Sequence, residues 1–176
     1  MTGETLLPRS LPARLFWLGL ALALVAFHLG LIFWGLVPNL VSRPLHMAFV
    51  LPWILVFAAR DRRQLASGLP LCLLGVGAAL WIAVNHEALG DQYGFLENNF
   101  QIAIAATLLI CVMEAARRAI GWPLPLVALL ALAYALFGQH VPGEFGHAGT
   151  PLKSFLGTMT IAEGGIWGTL TAVSVG

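Results

Sequence analysis

Long apolar runs separated by short polar punctuation dominate this chain. About 20 apolar residues are needed to carry a helix across the hydrocarbon core of a bilayer. Leu15 to Val37 meets that length and ends at Pro38-Asn39, a stop signal. A second run covers roughly 45–59 and reaches full length only if Leu40 and Val41 join it. Further runs cover about 65–84, 100–116 and 122–138. A sixth opens at Gly164 and extends to Gly176; its thirteen residues would rise only about 20 Å as a helix. The pattern predicts an all-α, polytopic integral membrane protein with five transmembrane helices plus a partial sixth. The short sixth run is expected to be the start of a further span in a longer polypeptide, the other reading being a re-entrant or interfacial tail.

Composition agrees. Of 176 residues, 59% are hydrophobic and 10% charged, and the mean hydropathy is +0.87. A soluble domain of this size has too much surface to hide that apolar content. The formal net charge of +1 gives no electrostatic case for nucleic acid as a partner; membrane lipid is the expected one. Cys72 and Cys111 each lie inside an apolar run without a CxxC spacing, and read as buried free thiols. Basic residues set orientation. Arg9 and Arg14 precede the first run, Arg60, Arg62 and Arg63 follow the second, and Arg117 and Arg118 follow the fourth. With five spans these seven share one side, and only Arg43 and Lys153 fall on the other. The N-terminus is therefore expected in the cytoplasm, with residues 85–99 and 138–154 on the opposite face.

Candidate chemistry is sparse. His28 lies near the middle of the first run; there the alternatives are a neutral imidazole bonded to a neighbouring helix, a proton relay or a haem ligand. Haem would require a second axial histidine at matching depth. His46, His86, His140 and His147 lie near span ends or in loops, so no such pairing is expected. His140 and His147 flank Glu144 in a Pro/Gly-rich loop without the spacing of a helical metal motif. There is no GxSxG motif, no convincing Ser/His/Asp set and no phosphate-cradling glycine loop. The chain is expected not to be an enzyme, with no catalytic, cofactor-binding or metal-binding residue of its own. The stretch "MEAARRAIGWP" reads as a helix end. Glu114 faces Arg117 at i+3 and Arg118 at i+4, the arginines suit the negative end of the helix dipole, and Gly121 with Pro123 stops the helix. Anchoring at the membrane surface is its plain reading, and a polar contact to another domain is the sharper one. Glu163 precedes a glycine-rich apolar stretch suited to close helix packing or to a broken helix.

Four stretches together give the chain a family resemblance: "RPLHMAFVLPWILVF", "WIAVNHEAL", "MEAARRAIGWPLPLVALLALAYALFGQHVPG" and "AEGGIWGTLTAVSVG", in this order over residues 43–176. They resemble the fused permeases of the tripartite ATP-independent periplasmic (TRAP) transporters, in particular the branch working with TAXI-type binding proteins. His46 matches that family's Leu-His-x-Ala-Phe position. Glu114, Arg117, Arg118, Gly121 and Trp122 match its Glu-Ala-x-Arg-Arg-x-x-Gly-Trp stretch, and Pro142, Gly143, Glu163, Gly165, Gly168 and Ser174 match later signature positions. The resemblance implies a cytoplasmic tail at 1–14, a four-helix small-subunit-like domain at 15–120, a connecting helix and periplasmic loop at 121–160, and the start of a large-subunit-like transport domain at 161–176. It implies a bacterial inner-membrane permease component. This part would support sodium-gradient-driven uptake of an organic acid delivered by a periplasmic substrate-binding protein. The sodium and substrate ligands would lie in the large subunit, beyond this chain. The reading from a different class is a membrane anchor or assembly subunit of a respiratory or other membrane complex.

Overall fold

The computed structural model describes residues 10–35, 37–162, 164–168 and 171. Among them there is no β-strand. Seven α-helices follow one another: α1 (Leu11–Trp34), α2 (Asn39–Pro52), α3 (Arg62–Val84), α4 (His86–Asp91), α5 (Asn99–Ile120), α6 (Pro123–Phe137) and α7 (Leu152–Thr160). Among the described residues, five helical segments are long and apolar enough to cross a membrane: Leu11–Phe33, Asn39–Phe57, Arg62–Val84, Asn99–Ile120 and Pro123–His140. The protein is an all-α helical membrane protein.

Local chemistry sets the boundaries. Gly35 closes α1 at φ +58, its N–H donating to the Leu31 carbonyl at 2.9 Å. The second span starts at Asn39, six residues before the apolar run at 45 suggested, because the first turns absorb Ser42, Arg43 and Pro44. Ser42 Oγ bonds back to the Pro38 carbonyl, and Arg43 donates to the Trp167 carbonyl. Pro52 has no N–H to give the helix, and the chain continues as a π-helical turn over Trp53–Phe57, closed by the Ala58 N–H on the Trp53 carbonyl at 2.9 Å. The starts of α3 and α5 are capped in the same way. Asp61 accepts from the Gln64 N–H at 2.7 Å while Gln64 Oε1 accepts from the Arg60 N–H at 3.0 Å. Asn98 accepts from the Gln101 N–H at 2.9 Å while Gln101 Oε1 accepts from the Glu97 N–H at 2.6 Å. Each pair satisfies two amides, as a capping box does.

α2, α3 and α5 form the packed centre. Leu51, Leu55, Cys72, Cys111 and Ala115 make one cluster, and Leu40, Ala78, Ile82, Leu89, Leu108, Ile161 and Trp167 belong to the other. α3 approaches its neighbours through glycine: a Cβ at Gly75 would lie 2.8 Å from Leu51 Cδ1 and 2.9 Å from Cys111 Sγ. Both cysteines are buried and free, and Cys111 Sγ donates to the Leu71 carbonyl at 3.3 Å. α1 and α6 are peripheral and keep most of their apolar side chains exposed, as lipid-facing helices do.

Residues 85–99 and 138–160 are more ordered than long polar loops would be. They contain α4, two 3₁₀ turns (Gly138–His140 and Gly143–Phe145) and α7. α7 packs its Phe155, Leu156 and Gly157 face inward, and a Cβ at Gly157 would collide with the Gly94 carbonyl oxygen. The described start of the sixth apolar stretch is a 3₁₀ turn, Gly165–Trp167, and not an α-helix. Its Trp167 is fully buried and donates Nε1–H to the Thr160 carbonyl at 2.7 Å.

Candidate functional site

The densest polar constellation sits where α5 ends against the start of α3 and the π turn that follows α2. Helical spacing puts Glu114, Arg117 and Arg118 on neighbouring positions of α5. Arg117 grips the carboxylate side-on, Nε to Oε2 at 2.7 Å and Nη2 to Oε1 at 2.8 Å. Arg118 Nε reaches Oε1 at 2.7 Å. Its other nitrogens cross to the neighbouring helices: Nη1 donates to the Leu55 carbonyl at 2.8 Å and the Gln64 carbonyl at 2.9 Å, and Nη2 to Ser67 Oγ at 2.9 Å. The Leu55 carbonyl needs that donor. Beyond the π turn the Ala59 N–H bonds to the Val56 carbonyl and the Arg60 N–H to Gln64 Oε1, so neither continues a helical ladder onto Leu55. Gly68 makes room, since a Cβ there would strike the Leu55 oxygen and lie 2.7 Å from Arg118 Nη1.

The two arginines thus differ in role. The Arg118 side chain is 5% exposed and fastens three helices; that of Arg117 is 30% exposed and stands at the rim. Arg117 lies over the Trp122 ring, 5.4 Å from its centroid. Gly121 ends α5 at φ +99 and ψ −169, a backbone region essentially reserved for glycine, with its N–H on the Arg117 carbonyl at 3.0 Å. The expected helix end is therefore present, but the glycine is extended rather than left-handed helical, and the chain turns directly into α6 at Pro123. Chemically the cluster is a fastener. Three N–H donors already engage its single carboxylate, and its one hydroxyl, Ser67 Oγ, accepts from Arg118 and bonds back to the carbonyls of its own helix.

The expectation that His28 lacks a histidine partner is corrected. His28 Nε2 lies 3.0 Å from His46 Nδ1, with ring planes at 87°. His28 Nδ1 lies 2.8 Å from the Leu24 carbonyl, which assigns the proton there and makes Nε2 the acceptor from His46. Both residues are nine positions from Val37, one on each arm of an antiparallel hairpin, so equal depth was legible in the numbering. Reading His46 as a span end hid it. Because the two facing nitrogens bond each other directly, a metal ion does not fit between them in this arrangement.

Elsewhere, His147 Nε2 lies 3.0 Å from the Tyr134 carbonyl and its ring stands edge-on to Tyr134. His140 Nδ1 lies 3.3 Å from the Phe137 carbonyl. Gly165 opens the 3₁₀ turn and Gly168 follows it, at the opposite end of the bundle from Arg118. Glu163 and Ser174 lie outside the described residues, as does Arg9. The cross-helix partners of Arg118, Gln64 and Ser67, were not anticipated; the capping pattern Asp61-x-x-Gln64 marks where α3 starts but does not pair it with Arg118. Basic residues segregate. Trp17 packs on Trp53 and Phe57, which brings the start of α1, and with it Arg14, to the end that carries Arg60, Arg62, Arg63, Arg117 and Arg118. Arg43 and Lys153 lie at the other end. Compared with protein-family models, curated proteins and solved structures, the chain matches none.

Proposed function

We propose that this chain is the N-terminal, scaffold-like portion of a TRAP-type secondary transporter permease. It braces a moving transport domain in the bacterial inner membrane and helps present it to a periplasmic organic-acid-binding protein, with sodium gradients as the driving force. The observation that carries this reading is the Glu114–Arg117–Arg118 seam. It ties α5 to α3 and the end of the second span at the point where the family resemblance puts the junction between the four small-subunit helices and the connecting helix. A bundle fastened at that seam, with α1 and α6 exposed on its flanks, suits a part that stays still while another part moves. Clustering of basic residues at the same end supports a cytoplasmic N-terminus.

The test is sodium-driven uptake of a panel of radiolabelled organic acids in cells carrying or lacking the gene. Uptake of at least one acid should vanish on deletion, return with the wild-type gene and fail to return with Arg118→Ala. Unchanged uptake across the panel after deletion would overturn the reading. Purified protein showing a Soret band would favour the membrane-anchor alternative.

A further inference from the structure

We propose that the elbow between α5 and α6 is a binding site for one anionic phospholipid, a role independent of the transport reading. A groove of about 340 Å³ runs along the two helices. Its walls include Leu109, Met113, Pro125, Leu129 and Leu132, and its mouth is Arg117 with Trp122. On the other side of Arg117 lies a second, polar cleft of about 360 Å³, lined by Arg60, Gln64, Arg118 and Gly121. The two cavities share Arg117 as a common wall.

Depth and charge identify the occupant. From Leu109 to Arg117 the helix rises roughly 12 Å, close to the half-thickness of a bilayer core of about 30 Å. The groove therefore accommodates an acyl chain from one leaflet and ends at headgroup level, where Trp is the favoured interfacial side chain. At that level three arginines (Arg60, Arg117, Arg118) face one carboxylate, Glu114, which leaves the rim positive. Arg117 spends Nε and Nη2 on Glu114; among the described residues nothing accepts a hydrogen bond from Nη1. Arg60 is exposed on the far lip of the polar cleft. The phosphate of a lipid with a net negative headgroup can accept a hydrogen bond from Arg117 Nη1 and answer the Arg60 charge, while the lipid's acyl chain covers the leucines. A neutral apolar helix would fill the groove but leave the positive rim unanswered.

The experiment titrates the purified full chain in detergent with phosphatidylglycerol, with phosphatidylcholine of the same acyl chains, and with inorganic phosphate. Thermal unfolding and native mass spectrometry are the readouts. Phosphatidylglycerol should persist as a single tight adduct and raise Tm. Phosphatidylcholine should bind about tenfold more weakly, as expected for loss of the net headgroup charge, and phosphate alone should do nothing. Arg117→Gln should erase the preference between the two lipids; should that variant not fold, the exposed Arg60→Gln should still narrow it. Leu129→Trp, which fills the groove, should weaken both lipids alike. Equal binding of the two lipids, an equal effect of free phosphate, or a preference that survives in both arginine variants would each overturn the proposal.

Discussion

At the scale of single residues, space decides more than propensity. Gly68 and Gly77 both sit inside α3, where alanine is intrinsically better by about 1 kcal/mol. A Cβ at Gly77 meets nothing within 4 Å, so Gly77→Ala should be neutral or stabilising by up to that amount. A Cβ at Gly68 strikes the Leu55 oxygen and crowds Arg118, so Gly68→Ala should instead destabilise by about 1–3 kcal/mol. Opposite shifts of the unfolding midpoint in detergent test the pair. Glu114→Gln should also destabilise, by about 1–3 kcal/mol, because it removes the one carboxylate that, among the described residues, pairs with both guanidinium groups. A double-mutant cycle should assign more coupling to Arg118 than to Arg117, since the more enclosed charge has less water to fall back on. Equal couplings would mean that the seam is symmetric. The i+3 and i+4 spacing of this cluster was legible in the sequence. Its long-range half was not, because a carbonyl left without a helical donor at a π turn has no signature in residue type.

Among elements, the spans were legible because apolar content over twenty residues has few other uses. Boundaries shifted where polar residues joined a helix, as Ser42, Arg43 and Pro44 do in α2. α7 was missed altogether. Its nine residues carry apolar groups at helical spacing, Leu152, Phe155, Leu156 and Met159, but in a Gly/Pro-rich stretch too short to span, and a search for spans passes over a helix lying against the bundle end. α1 is the element whose attachment is most exposed to test. Its described ring contacts to the second span are Trp17 on Trp53 and Phe57, Phe27 on Phe49, and His28 on His46. An intramembrane hydrogen bond such as the histidine pair contributes only about 0.6 kcal/mol on average, so the tryptophan should carry more. Combining Trp17→Ala with His46→Leu should loosen α1 without unfolding the α2–α3–α5 centre. Spin labels at Leu22 and Leu73, both exposed, should give a narrow distance distribution in the parent protein and a broad one in the double variant. A distribution that stays narrow would mean that lipid-facing packing, not these ring contacts, holds α1.

For the whole molecule, the question is which way the bundle sits. The structure sorts the described basic residues by end: six arginines (14, 60, 62, 63, 117 and 118) against Arg43 and Lys153. The fold alone does not assign either end to a compartment, because the antiparallel hairpins are indifferent to direction. Insertion is not indifferent, since lysine- and arginine-rich segments are retained in the cytoplasm. The Arg-rich end should therefore be cytoplasmic and the α4 end on the far side of the membrane. Single cysteines report this in intact cells. The native Cys72 and Cys111 are buried and give little background with a membrane-impermeant maleimide. A cysteine at Glu87 should label from outside, whereas one at Arg62 should label only after permeabilisation. The reverse pattern would turn the bundle over and place the lipid-facing elbow of α5 and α6 in the other leaflet. Labelling of both positions from one side would be more serious. Arg62 opens the 23-residue α3 and Glu87 lies just past its end, so that result would mean that α3 does not cross the bilayer.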